Sequence, residues 1–141
     1  MAETATAFSW IYSLASADSA LVAAATGGLF MGIADIGVTA PFMSYSRQSG
    51  ADKLTLQAVR IWTDILMLIK AVGPTTGYPA LVTIAGRIDA LFRDVRNAQV
   101  PGGGGAVLAC YREQEFAMNE LVNGVQWSHL GGLYRIELQG S

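Results

Sequence analysis

The chain has 141 residues, a formal net charge of −2 and one cysteine. Charged residues make up 14% of it, against about 25% in ordinary globular domains. A single cysteine excludes an intrachain disulfide and a cysteine metal cluster, and nine scattered Lys and Arg residues argue against a nucleic-acid clamp. The length predicts one domain over residues 1–141, and the low charge predicts that other copies or another protein cover part of its exterior.

The N-terminal segment predicts two helices. The first spans residues 5–14 and turns one apolar side inward, formed by Phe8, Ile11, Tyr12 and Leu14. Asp18 then caps a second, short helix through Ala25, because an aspartate side chain accepts hydrogen bonds from first-turn N–H groups. Glycine tolerates a left-handed helix end, so the second helix ends at Thr26-Gly27-Gly28.

Residues 19–34 carry no charge, yet they do not predict a membrane span. The stretch is sixteen residues long, below the roughly 18 expected of a spanning helix. Asp18 and Asp35 flank it, and no nearby Lys or Arg would set an orientation. Glu3 stands where a signal peptide has a basic start. We therefore expect no membrane association.

Two short strands follow the helices. Residues 29–34 predict the first strand, and a loop over 35–40 leads into Pro41, which restricts the residue before it to extended geometry. The second strand covers 42–47, with Phe42, Ser44 and Ser46 on one face and Met43, Tyr45 and Arg47 on the other. Residues 48–53 predict a polar turn around Ser49-Gly50.

Residues 59–69 show the clearest pattern in the chain. Every second residue is apolar except Thr63, in the row Val59, Ile61, Ile65, Met67 and Ile69. The other row is apolar in the middle and charged towards both ends: Arg60, Trp62, Asp64, Leu66, Leu68 and Lys70. A helical stripe also fits residues 54–69, but the branched side chains favour a strand. Such a strand has one face in a core, and its other face is half covered by another surface.

The second half of the chain begins with a break at 73–77 and one amphipathic helix from Tyr78 to Val95. Its apolar stripe consists of Tyr78, Leu81, Val82, Ala85, Ile88, Leu91, Phe92 and Val95. Residues 99–105, with four consecutive glycines, are predicted to be the least ordered segment. Residues 106–116 predict a strand and 117–124 a connection.

Residues 125–139 predict a final pair of strand segments, separated by a bulge or bend at Gly131-Gly132. Tyr134, Ile136 and Leu138 face inward in the last segment. The resulting fold class is α+β, with a mostly antiparallel sheet packed against an N-terminal helical segment and one amphipathic helix.

Few residues suggest chemistry. His129 lacks a nucleophile and an orienting group, because its sequence neighbour Ser128 would point to the opposite face of a strand. Cys110 alternates with Leu108 and fits a small apolar core residue. Glu113 and Glu115 would share a strand face about 7 Å apart, a spacing that paired carboxylates use in sugar hydrolysis. A solvated or ring-lining acidic face is the simpler interpretation.

Two further patterns fail on spacing. The glycines at 102–105 lack the Lys and Ser/Thr of a phosphate-binding loop. The aspartates lack the spacing of a metal loop: Asp18, Asp35, Asp52, Asp64, Asp89 and Asp94. We predict no catalytic, cofactor or metal site and no enzymatic activity.

The chain resembles the small tail-terminator (tail-completion) proteins of long-tailed bacteriophages and of related gene-transfer particles. The likeness is clearest in Val59-Arg60-Ile61-Trp62-Thr63-Asp64, Tyr111-Arg112-Glu113-Gln114 and Gly131-Gly132-Leu133-Tyr134-Arg135. It extends almost end to end, through residues 10–14, 18–21, 28–30, 33–34, 41–45 and 84–91.

The resemblance implies a virion subunit of a six-membered ring, assembled in the host cytoplasm. That ring caps the tail tube, ends its polymerisation and offers a docking face to the head–tail connector. DNA passes through the lumen without specific binding, which agrees with an acidic balance and no basic stripe.

Alternative functions remain open on sequence grounds. Two alternatives are also structural virion proteins: a connector stopper and a tail-tube subunit. A small-ligand-binding domain or hydrolase that uses His129 and Glu113, or a membrane protein built on residues 19–34, belongs to another class.

Overall fold

A computed structural model of the chain describes residues 2–34, 37–58 and 60–140. These residues form three α-helices: α1 (Ala2–Ala17), α2 (Ser19–Ala24) and α3 (Tyr78–Phe92). They also form six strands: β1 (Leu29–Met31), β2 (Phe42–Leu54), β3 (Arg60–Pro74), β4 (Asp94–Gln99), β5 (Gly105–Val122) and β6 (Val125–Gly140). The predicted residues Val59 and Asp35 lie outside the described residues.

One sheet with the order β1-β2-β3-β6-β5-β4 organises the molecule. Only the short β1 runs parallel to its neighbour β2, and the other four pairings are antiparallel. The helices pack against one face, which we call the inner face, and the opposite face is the outer face. The predicted α+β class with a mostly antiparallel sheet is confirmed.

The core lies between the helices and the inner face of the sheet. Trp10 of α1, Phe92 of α3 and Tyr134 of β6 meet there, with ring centroids 5.5 Å and 6.1 Å apart in successive pairs. The buried side of α3 consists of Leu81, Ile84, Ile88 and Phe92. The edge-to-face geometry of the three rings is the one their quadrupoles favour. These contacts connect α1 to the end of α3 and, through Phe92, to β6.

Helix α1 is longer than predicted and faces the core differently. Its inward row is Ala7, Ile11 and Ala15, at helical spacing, with Trp10 beside it. The prediction for Tyr12 was wrong, because its side chain is 51% exposed. The small alanines let the helix approach the sheet closely, and a stripe read from large side chains alone is therefore rotated away from the true one.

The segment 19–34 has the two parts that the sequence predicted. Asp18 caps α2 by accepting a 2.9 Å hydrogen bond from the Leu21 N–H. Strand β1 is shorter than predicted and ends at Met31. Across the described residues, no helix combines the length and apolar character that crossing a bilayer requires.

Strand β2 does not end where the sequence predicted. The expected polar turn over 48–53 is wrong, since β2 continues to Leu54 in register with β3. The actual turn lies near Ala58, which has a φ of 59°. Both faces of this part of the hairpin are exposed, so its polar sequence carries no burial cost, and pairing with β3 determines its conformation.

Strand β3 confirms the prediction from alternation and rules out the helical alternative. Ile65, Met67 and Ile69 are fully buried on the inner face. Ile61 belongs to the same row but is 41% exposed, so its predicted core position was wrong. The reason is its place near the hairpin turn, beyond the area that the helices cover.

Helix α3 ends at Phe92, and Val95 lies in β4. The predicted extension of the helix to Val95 was wrong, and β4 was missed altogether. Strand β4 pairs with β5 from Asp94↔Tyr111 to Gln99↔Ala106. No local sequence pattern predicts this pairing. Within the predicted glycine segment, Pro101–Gly103 forms a single 3₁₀ turn.

Strands β5 and β6 form a long hairpin, and the predicted connection over 117–124 was wrong. Its turn is Asn123-Gly124, with φ values of 50° and 78°, the pair that a type I′ turn requires. Strand β6 runs without a break through Gly131, where a Cβ would overlap the Ile69 carbonyl oxygen and lie 2.5 Å from Lys70 Cα. The predicted bulge there was wrong: the register shifts lie in β5, between Val107/Ala109 and Arg112/Gln114.

Candidate assembly surfaces

The outer face of β3 carries the second row of the predicted strand. Within one copy Arg60 is exposed, Leu68 is buried, and the members between them and Lys70 are half-buried. Trp62 Nε1 and Asp64 Oδ1 are buried without a hydrogen-bond partner among the described residues. Lys70 lies with its Nζ 5.6 Å from the Phe116 ring centroid, and burial lowers its pKa. An amphipathic outer row of this kind was predicted, although strands of the same chain provide much of its cover.

A cavity of about 330 Å³ opens on the outer face at one end of the sheet. Phe42 and Trp127 form part of its wall, with ring centroids 6.5 Å apart, and Phe42 also packs against Phe30 at 5.6 Å. Polar groups at its margin include Lys70, Glu120 and His129. The cavity is mainly apolar, with no cluster of nucleophilic residues on its lining.

Both hairpin turns carry exposed apolar side chains. Leu54 and Leu56 flank the β2–β3 turn, and Leu56 is fully exposed. The β5–β6 turn carries Leu121, which is 74% exposed, together with Val122 and Val125. The register places the turns at opposite ends of the sheet, since β3 pairs near its start with Leu138 and near its end with Trp127. Apolar groups at exposed tips favour contact with another protein surface.

His129 is almost fully buried and bonded within the outer face. Its Nε2 lies 2.7 Å from Glu120 Oε1, while its Nδ1 has no partner among the described residues. Ser128 points to the inner face, as predicted, where it donates to Asn119 Oδ1 and lies 2.8 Å from Thr75 Oγ1. The two side chains do not meet, which agrees with the predicted hydrogen-bonded role of His129.

Cys110 lies in the core at 1% exposure, as a small apolar residue would. Its thiol contacts the Phe92 carbonyl oxygen at 3.1 Å, and burial raises the pKa of the thiol to about 12. A thiol in this environment stays protonated at neutral pH and is a poor nucleophile.

Glu113 and Glu115 do not share a strand face, and that prediction was wrong. Glu113 accepts two 3.0 Å hydrogen bonds from Arg135 Nη2 on the outer face. Glu115 pairs with Gly132, in the same inward row as Tyr134. The register shift between Arg112 and Gln114 adds one residue and reverses the alternation. A paired-carboxylate site is therefore not assembled here.

The described aspartates are engaged in structural contacts at separate places. Asp18 accepts a 2.5 Å hydrogen bond from Arg87 Nη2, and this bond holds the pKa of Asp18 below its usual range. Asp89 accepts a 3.1 Å hydrogen bond from the Tyr134 hydroxyl. The remaining three pair locally: Asp52 with Thr63, Asp64 with Lys53, and Asp94 with Arg96.

Sequence reasoning missed the features that dominate the exposed surface. The parts of the two long hairpins near their turns, 48–53 and 117–124, and strand β4 were predicted as turn, connection or helix. One local signal was available, because Asn-Gly is a strong indication of a tight hairpin turn. No such signal exists for residues 48–54, where pairing with β3 alone defines the strand.

Comparison with known proteins supports the fold. No protein-family model matches the chain, and no curated protein matches it. A chain in a solved structure described as the virion of a native gene transfer agent particle superposes with a TM-score of 0.69. The alignment covers 92% of this chain and 92% of that chain, at 14% sequence identity. The two chains share a fold, and the tail-terminator resemblance stays a prediction.

Proposed function

We propose that this protein is a structural virion component, and that its role is that of a ring-forming tail terminator at the head–tail interface. The observation that carries the proposal is the fold shared, over 92% of both chains, with a chain of a native gene transfer agent virion. A likeness of that extent involves every layer of the fold. The sequence resemblance, which was found without the structure, points to the same kind of particle.

The exposed surface supports an assembly role. Apolar side chains at both hairpin turns and an apolar cavity on the outer face are features that a partner would cover. Two residues that first suggested chemistry are bonded to neighbouring side chains: His129 to Glu120, and Glu113 to Arg135. We therefore propose a structural, non-enzymatic protein.

In this proposal six copies form a ring that caps the tail tube, stops its growth and joins the head connector. DNA passes through the lumen without specific binding. A formal net charge of −2 suits a conduit, because a basic lining would bind phosphates and slow their passage.

Removal of the gene tests the role directly. We expect particles without the protein to have tails longer than normal, measured by negative-stain electron microscopy, and complementation in trans to restore the normal length. Filled heads that leak or lack tails would instead indicate a connector stopper, and complete absence of tubes would indicate a tube subunit. Either result would refute the terminator role.

The matched control is a His129→Ala variant supplied in trans. We expect it to restore tail length whenever the protein folds, because His129 has no part in this function. Loss of tail-length control by a folded His129→Ala protein would favour the ligand-binding alternative instead.

A further inference from the structure

The sheet has two long strand edges that lack a ladder partner among the described residues. Strand β1 pairs with β2 only from Leu29↔Met43 to Met31↔Tyr45, so residues 46–54 of β2 have a neighbour on one side only. Strand β4 pairs with β5 only as far as Tyr111, so residues 112–122 of β5 are likewise unpaired on one side. Residues 47–54 are exposed, and so are all of 112–122 except Phe116.

These edges contain no proline and one lysine, two of the usual guards against strand pairing. Natural proteins guard exposed edges with proline, charged residues (lysine above all), bulges or covering elements. Neither segment contains proline, and Lys53 is the one lysine in them, although both carry other charged residues: Arg47 and Asp52 on one edge, and Arg112, Glu113, Glu115 and Glu120 on the other. Each edge has a bulge close to the start of its unpaired segment, at Gln48 and at Glu113, and the β2–β3 register shifts again between Lys53 and Leu54. Between these irregularities, residues 49–53 and 114–122 pair with β3 and β6 without a register shift.

The two edges have complementary outlines. The start of β3 and the end of β6 define one end of the sheet, which we call the upper end, and the Asn123-Gly124 turn marks the lower end. On one side of the sheet β4 projects at the upper end and leaves β5 bare below. On the other side β1 projects at the lower end and leaves β2 bare above. Each side edge of the sheet therefore has a stepped outline. When two copies lie side by side, the projecting strand of each copy fits the bare strand segment of the other without a shift along the strands.

We propose that neighbouring copies join edge to edge through these steps. Strand β4 of one copy lies beside residues 49–54 of β2 in the next copy, running parallel to them. Strand β1 of that next copy lies beside residues 114–122 of β5 in the first copy, running antiparallel. This inference rests on the proposed function, which requires a closed ring of copies, and it names the surface that closes the ring.

The dimensions fit the proposed contact. Strand β4 has six residues, about 20 Å at the usual strand rise, and the part of the β2 edge without a register shift, 49–53, has five residues, about 17 Å. Strand β1 has three residues and lies within a bare stretch about three times as long. The contact joins different surfaces of the two copies, so it is head-to-tail, and rotation can close such contacts into a ring.

Engineered cysteines test the proposed neighbours. Arg96 of β4 and Ala51 of β2 lie on the outer face, opposite Ala109 and Asp64. We expect the double variant Arg96→Cys/Ala51→Cys, or its neighbour in register Gln99→Cys/Ala51→Cys, to form an intersubunit disulfide ladder under mild oxidation. The native Cys110 stays in place because it is buried. The matched control is Ala90→Cys/Ala51→Cys, since Ala90 is exposed on α3, away from both edges.

Hydrogen exchange on the unmodified protein gives a second readout. We expect amides in 49–54 and 94–99 to slow on assembly at alternate residues, because only every second amide on an edge faces the neighbour. Amides in the middle of α3, which is not part of either edge, should exchange at the same rate in both states. Uniform slowing of both segments would indicate side-chain docking and would overturn backbone pairing.

The outcomes separate this inference from the proposed function. An oligomer that forms with no cross-linking above the Ala90 control and no edge protection overturns the edge contact, while the terminator role stands. Efficient cross-linking together with normal tails in particles lacking the gene supports the edge contact and refutes the terminator role. A protein that stays monomeric at all concentrations overturns the edge contact as well.

Discussion

Asp18 makes two separable contributions to stability, and its substitution tests the structure of the helical layer. Its side chain caps α2 through the Leu21 N–H and also accepts two hydrogen bonds from Arg87 of α3. Loss of an N-cap costs about 1 kcal/mol, within a range of about 0.5–2. Arg87 is 41% exposed, so water screens the ion pair, and the cap makes the larger contribution.

We therefore expect Asp18→Ala to lower the free energy of unfolding by about 1–2.5 kcal/mol. Asp18→Ser keeps a capping oxygen and loses the ion pair, and Arg87→Gln keeps the cap and loses the same pair. Both controls should cost less than Asp18→Ala, because each keeps the cap and loses only a solvent-screened pair. Urea unfolding of the three variants and the wild type, at one fixed protein concentration, measures these differences.

The pH dependence has a definite sign. The hydrogen bonds from Arg87 lower the pKa of Asp18 in the folded state, whereas in the unfolded chain it is about 3.9. The stabilising contribution is therefore present above about pH 4 and is lost as the pH falls through the lower, folded-state pKa. Asp18→Ser should lose less stability than the wild type over this range. Equal costs for Asp18→Ala and Asp18→Ser, or identical acid profiles, would refute the division into cap and ion pair.

Three further predictions follow from glycine packing, the hairpin tip and the buried thiol. Gly131→Ala should cost about 1–3 kcal/mol of unfolding free energy, because its Cβ would overlap β3. Gly86→Ala, in open space on α3, should instead stabilise the protein by about 0.5–1 kcal/mol. The opposite order of stabilities in urea unfolding would contradict the strand contact at Gly131. Leu56→Gln should change unfolding by less than about 0.5 kcal/mol and yet weaken self-association in sedimentation velocity, whereas an unchanged association constant would remove the β2–β3 turn from the assembly surface. Cys110 should react with a thiol reagent at pH 8 only at the rate of unfolding, because burial raises its pKa to about 12; fast labelling of the native protein would show that this part of the core opens.

Local sequence signals were sufficient where burial or capping acts on neighbouring residues. Alternation in β3 and β6 identified both strands and the inward row Tyr134, Ile136 and Leu138, all almost fully buried. Asp18 identified the start of α2, and the stripe after Pro79 identified α3, which begins at Tyr78. In each case a one-sided apolar or capping requirement repeats at the period of the element itself.

The candidate site was less predictable, because its extent depends on pairing between distant residues. Residues 48–54 are polar on both faces and are strand only because β3 lies beside them. Strand β4 exists because β5 provides its hydrogen-bond partners. The bulge near Glu113 reversed an alternation that would have placed two carboxylates together, and no local feature of that segment marks it.

The amino-acid sequence by itself determined the fold class, the central strands, the amphipathic helix and an exterior with few charges. Those properties follow from side-chain polarity and spacing, which act over a few residues. Only the tertiary structure decided how far each hairpin extends, where the register shifts and which edges remain bare. Backbone hydrogen bonding between strands is almost independent of side-chain identity, so the surfaces proposed for assembly become visible only when the strands are in register.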